Sequence, residues 1–200
     1  MASEVTICNL ALSHLGDSAT VASIDPPEGS AQAEHCSLFY PVARNALLEM
    51  HNWKFATRRT VLAATSEDSF GWAYAYSAPV NAIKLLSVLP YDADSDDETQ
   101  NFEVEGGVSS DIILTDQENA VIRFIGLVTD TTRFSPLFTE ALAWLLASYL
   151  AGPIYKGETG AGMAKSCYQM FMVAYARAVA SDSNQRKVRP DHTPAWIENR

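Results

Sequence analysis

The hydrophobic period of the chain changes twice, and each change restricts the fold. Val5, Cys8, Leu12 and Leu15 recur at helical spacing between Ser3, placed to cap a helix start, and Gly16, placed to end it. After the turn-rich stretch Asp25-Pro26-Pro27-Glu28-Gly29, Ser30 opens a second helical pattern with Cys36, Phe39, Ala43, Leu47 and Met50 on one face. Pro41 lies inside it; a proline lacks the N–H and crowds the preceding turn, so a kink or a restart is expected there. From about residue 57 to 128 the period becomes two. Strand-like runs occupy residues 60–64, 82–89, 101–105, 112–115 and 120–125, separated by turn formers such as Gly106-Gly107. Helical spacing returns at Ser135-Pro136 and carries Phe138, Ala141, Leu142, Leu145 and Tyr149 up to Gly152-Pro153. A last helix is predicted over residues 161–180, with Met163, Cys167, Met170, Phe171, Ala174 and Ala178 inward.

This order predicts a mainly α protein with a β insertion (α+β). A four-helix bundle would be formed by residues 1–56 and 134–184, a small antiparallel sheet would be inserted over 57–133, and residues 185–200 would be an extended C-terminal tail. Trp53 and Phe55, alternating at the junction, should anchor the sheet on the helices. A chain of 200 residues, 48% hydrophobic, fills such a core without staples. Its three cysteines, Cys8, Cys36 and Cys167, are odd in number and widely spaced, so neither a disulfide framework nor a zinc knuckle is expected, and a reducing cytoplasm fits. Glu4 stands where a secretory leader would be basic, and no targeting segment is expected. The longest uncharged apolar stretch, 141–154, is shorter than the roughly 20 residues that cross a bilayer, so it reads as a core helix.

Charge is unevenly placed. The net charge of −10 disfavours loose coating of nucleic acid or anionic lipid. Between Leu85 and Ile122 there is no Lys or Arg, whereas Asp92, Asp94, Asp96, Asp97 and Glu98 form an acidic loop, followed by Glu103, Glu105, Asp111, Asp116 and Glu118. The tail holds Arg186, Lys187, Arg189 and Arg200 against two acids, and its Ala195-Trp196-Ile197 has no obvious way to bury itself within one subunit. Two ends of opposite charge suit a subunit addressed to two partners.

Candidate chemistry is sparse. The run from Gly157 to Ser166 superficially resembles a phosphate-binding loop, but Met163 follows Gly162 where a Walker lysine would stand, and helix precedes it where a strand is required; a flexible connection is expected. Asp92, Asp94, Asp96 and Glu103 have the ligand spacing of an EF-hand loop, which makes a small monomeric calcium-binding module the alternative reading. Asp97 occupies the glycine position and the flanks read as strands, so a solvated acidic hairpin loop is preferred. His14, His35, His51 and His192 form no metal-ligand pair and no nucleophile motif, and His14 and His35 fit polar helix faces. No cofactor, metal site or catalytic group is assigned.

Several segments in order carry a family likeness: Ile7-Cys8-Asn9-Leu10-Ala11-Leu12 with Leu15-Gly16, then Arg44-Asn45-Ala46-Leu47-Leu48, then His51 through Arg59, then Tyr76-Ser77-Ala78-Pro79, then Phe134 through Ala143. Together they resemble the head-to-tail adaptors of tailed bacteriophages of the tail tubular protein A type, over about residues 5–180. The resemblance implies a structural virion protein of the head–tail junction, assembled in the bacterial cytoplasm, and not an enzyme. It implies a homo-oligomeric, dodecameric ring whose subunits can be monomers before assembly, set between the portal protein and the tail nozzle or tail tube protein. Double-stranded DNA would pass through without specific binding, and no membrane is involved. On that reading the acidic loop would line the channel or the tail-facing rim. Arg186, Lys187, Arg189, Trp196 and Ile197 would contact the portal or a neighbouring subunit.

Overall fold

A computed structural model describes residues 2–18, 20–108 and 110–185. Four α-helices, α1 (Glu4–Leu15), α2 (Ala31–Met50), α3 (Pro136–Tyr155) and α4 (Gly157–Ser183), enclose seven strands in sequence. These are β1 (Thr57–Val61), β2 (Ala63–Ala64), β3 (Tyr74–Ser77), β4 (Ala82–Leu89), β5 (Phe102–Gly106), β6 (Asp111–Thr115) and β7 (Val121–Gly126). All pairings are antiparallel, in one sheet of order β1-β7-β4 and another of order β2-β3-β6-β5.

The expected four-helix bundle with a small inserted sheet is therefore wrong. The architecture is α+β with four helices and two antiparallel sheets among the described residues. Three physical causes account for the difference. α1, α2 and α4 each pack on α3 and touch one another little, because α3 is apolar all round and is buried on several sides. The strand predicted over 60–64 breaks at Leu62, whose N–H bonds to the Ala120 carbonyl while its side chain turns into an apolar cluster; β1 stays with β7 and β2 crosses to β3. β3 spans only four residues and its neighbours Ala75 and Tyr76 are both buried, so no period-two pattern marks it, and without it the second sheet cannot be recognised.

The three-stranded sheet serves two cores. Val88, Ile122 and Phe124 pack with Leu62, at the break between β1 and β2, and with Tyr76 and Ile113 of the other sheet. Ile125, Ile83 and Leu86 pack with the helices. In β4 the pairing with β7 skips between Ala82 and Lys84 and between Leu85 and Ser87, so Ile83 and Leu86 are the unpaired residues of two bulges. A bulge re-aims its extra side chain, and here both extra side chains reach the helical core. β6 is buried on both faces, Ile113 in the inter-sheet cluster and Ile112 and Leu114 beneath Trp72.

The helix boundaries show local chemistry at work. Ser3, Ser30 and Ser135 each accept a backbone N–H as N-caps, and Gly16 closes α1 in the left-handed conformation. α2 is one continuous helix with Pro41 inside it, so the expected restart does not occur; Pro41 sits on the exposed side. α2 has no glycine at its end. Its terminal carbonyls are satisfied by side chains instead, Leu47 by Trp53 Nε1 at 2.8 Å and Met50 by the Tyr175 hydroxyl at 2.9 Å. Trp53 and Phe55 both pack with the helical core, but from a turn in which the Ala56 and Thr57 N–H groups bond to the Trp53 carbonyl, not from an extended strand.

α3 continues through Gly152-Pro153 to Tyr155, so at 20 residues it is long and apolar enough to cross a membrane by length and composition alone, contrary to the sequence expectation; three helices pack on it here. The glycine-rich run resembling a phosphate loop is the first turns of α4, which starts at Gly157. A Cβ at buried Gly160 would stand 3.1 Å from the Ala151 carbonyl oxygen, so glycine there permits close approach of the α3 and α4 backbones.

Candidate functional site

The loop over residues 92–98 leaves β4, is closed by a single bridge between Val88 and Gln100, and enters β5 in the other sheet. It is a crossing between sheets and not the expected hairpin. Within it, the Glu98 carboxylate accepts the N–H groups of Asp94 and Ser95 at 3.1 and 2.9 Å, and the Asp97 N–H bonds to Ser95 Oγ at 3.2 Å. Asp92, Asp94, Asp97 and Glu98 are exposed.

Asp96 behaves differently from the other four acids. It is half-buried, paired with Arg59 of β1 and, at 3.6 Å, with Arg123 of β7. Arg59 and Arg123 stand directly opposite one another in the β1–β7 register. Like charges so placed repel, and the Asp96 carboxylate between them offsets that repulsion. Asp96 is thus removed from the proposed rim of free acids. Among the described residues no three His, Cys, Asp or Glu side chains gather to hold a metal. Glu103, the twelfth position of the would-be calcium loop, is carried away on β5.

Beside Asp96 an open pocket of ≈ 330 Å³ is lined by Lys54, Thr57, Arg59, Asp96, Arg123 and Gln185. Arg123 Nε is buried without a hydrogen-bond partner among the described residues. Asp182, only 5% exposed at the end of α4, accepts the Lys54 N–H at 3.1 Å and meets His51 Nε2 at 3.3 Å, tying the turn between α2 and β1 to the last turn of α4. These basic residues and Asp182 were not assigned from the sequence. The available signal was a local one: Lys54, Arg58 and Arg59 lie within six positions that hold no acid. The tail assigned to partner contact, with Arg186, Lys187, Arg189, Trp196 and Ile197, lies outside the described residues.

Exposed apolar side chains gather on two helices, with single ones at Leu10 of α1 and Tyr155 of α3. On α2 these are Leu38 and Val42, four residues apart and flanking exposed Pro41, and Met50, which was expected on the inward face. On α4 they are Tyr168, Met170, Met172 and Val173; Met170, expected inward, is 48% exposed because the buried stripe runs through Cys167, Phe171, Ala174 and Ala178. α2 and α4 both pack on α3.

The remaining reactive side chains are occupied in packing. His14 is not a simple polar-face residue: its ring stacks on Trp144 with centroids 3.7 Å apart, and burial holds its pKa below the usual histidine value. His35 lies 6.4 Å from the Phe39 ring. The Cys36 contact and burial push the Cys8 thiol well up, and burial raises Cys167 and Tyr40. No protein-family model matches the chain, and no curated protein is significantly similar to it.

Proposed function

We propose that the protein is a ring-forming adaptor of a tailed bacteriophage, placed between the capsid portal and the tail. The observation that carries this reading is the pair of exposed apolar faces on two different helices, Leu38 and Val42 on α2 and Tyr168 and Met172 on α4. A cyclic ring of identical subunits uses heterologous contacts, in which one patch meets a different patch of the next copy; a subunit built for this exposes two unlike surfaces. The sequence resemblance supports the same assignment. Exposed acids at Asp92, Asp94, Asp97 and Glu98 suit a surface past which DNA slides without sticking, because they repel phosphates. The basic tail with Trp196 and Ile197 suits docking to the portal or a neighbour.

Purified protein mixed with portal rings is the test, read by sedimentation and electron microscopy. Rings of added density on one end of the portal are expected. Leu38→Glu and Met172→Glu, which alter exposed positions, should leave the subunit's melting unchanged and abolish that density. Failure of the wild-type protein to bind portal rings would overturn the reading.

A further inference from the structure

We propose that the basic pocket at Lys54, Arg59 and Arg123 receives the acidic edge strand β5, Glu103 and Glu105, of a second copy of this chain. This inference deepens the ring reading and rests on it, naming the polar half of the subunit interface.

The argument begins with charge. Among the described residues three cations, Lys54, Arg59 and Arg123, share one pocket with a single acid, Asp96. Asp96 satisfies part of each arginine, yet the side chains lining the pocket, among the described residues, retain an excess of positive charge. In a chain of net charge −10, such a concentration of cations on one small surface calls for an anionic counterpart.

The chain itself supplies one. Glu103 and Glu105 are exposed on β5, within a stretch from Leu85 to Ile122 that holds no Lys or Arg. β1 and β5 are edge strands, the first of the three-stranded sheet and the second of the four-stranded one. Edge strands of comparable length, five residues each, present main-chain groups to an incoming neighbour. Because the basic patch and the acidic patch are different surfaces of one subunit, joining them leaves a free patch at each end of a dimer. Addition then continues until a ring closes, as heterologous contacts require. A nucleic-acid phosphate is the competing occupant, and the net charge of −10 disfavours it.

The experiment mixes unlabelled and ¹⁵N-labelled protein, both free at high concentration and bound to portal rings, and treats it with a carbodiimide that joins amines to carboxylates. Peptides carrying one chain of each isotope, linking Lys54 to Glu103 or Glu105, are expected. They should disappear at about 1 M salt, where the Debye length is about 3 Å. They should also disappear in Glu103→Lys/Glu105→Lys, a surface change whose thermal melting should match wild type. Absence of mixed-isotope Lys54 links in both settings, or their persistence in that variant, overturns the inference, as does their loss on adding duplex DNA through direct competition for Lys54. A protein that cross-links in this way and ignores portal rings retains the inference and loses the adaptor reading; one that binds portal rings without the link does the reverse.

Discussion

Trp53 is the side chain whose removal should damage the fold most, and two substitutions separate its roles. It is 1% exposed, stands edge-on to Phe138 with centroids 4.9 Å apart and lies 6.3 Å from the Tyr175 ring. Trp53→Ala deletes a large buried aromatic and leaves a cavity, which costs about 3–5 kcal/mol. At about 2–4 °C per kcal/mol for a chain of this size, the melting temperature should fall by about 6–20 °C. Trp53→Phe keeps most of the ring contacts but strips the indole N–H from the Leu47 carbonyl, a loss of about 1–3 kcal/mol for a buried group left unpaired. Urea titration followed by circular dichroism measures both. An unchanged melting temperature for Trp53→Ala would refute the anchoring role, and equal losses for the two variants would refute the claim that the indole N–H and the ring act as separate contributions.

Three further outcomes can be checked. Asp182→Ala removes the charged acceptor of the Lys54 N–H and should cost about 1.5–3 kcal/mol in urea unfolding, with Asp182→Asn clearly milder. His14 has a lowered pKa in the fold, so as pH falls through about 6.5 the unfolded chain takes up the proton first and stability decreases; His14→Gln should flatten this slope between pH 7 and 5 in thermal scans. Gly160→Val places side-chain carbons against the Ala151 carbonyl and should destabilise by about 1–3 kcal/mol, the cost of overpacking, measured by the same urea assay.

What the sequence disclosed depended on whether a signal was local. The serine caps of α1, α2 and α3 and the full span of β4 are readable because a side chain bonds within three residues of itself or a mainly aliphatic run has the length of a strand. The partition into two sheets was not readable, since it turns on Leu62 reaching the Ala120 carbonyl, a contact between positions far apart in the chain. Asp96 looked like any of its four acidic neighbours; only the register that sets Arg59 opposite Arg123 distinguishes it. Met170 fell on the predicted apolar face of α4, but with α3 as the main packing partner the helix buries a narrower stripe than its composition allows.

The two bulges of β4 make the length of that strand matter more than the identity of its residues. Exchanging Ile83 or Leu86 for another aliphatic side chain leaves both cores supplied. Deleting either one would instead restore regular pairing with β7 and withdraw a side chain from the helices, while inserting one would turn the residues before it to the opposite face. β4 is therefore a splice between two structural layers, and relatives of this chain should differ there by substitution and keep its eight-residue count.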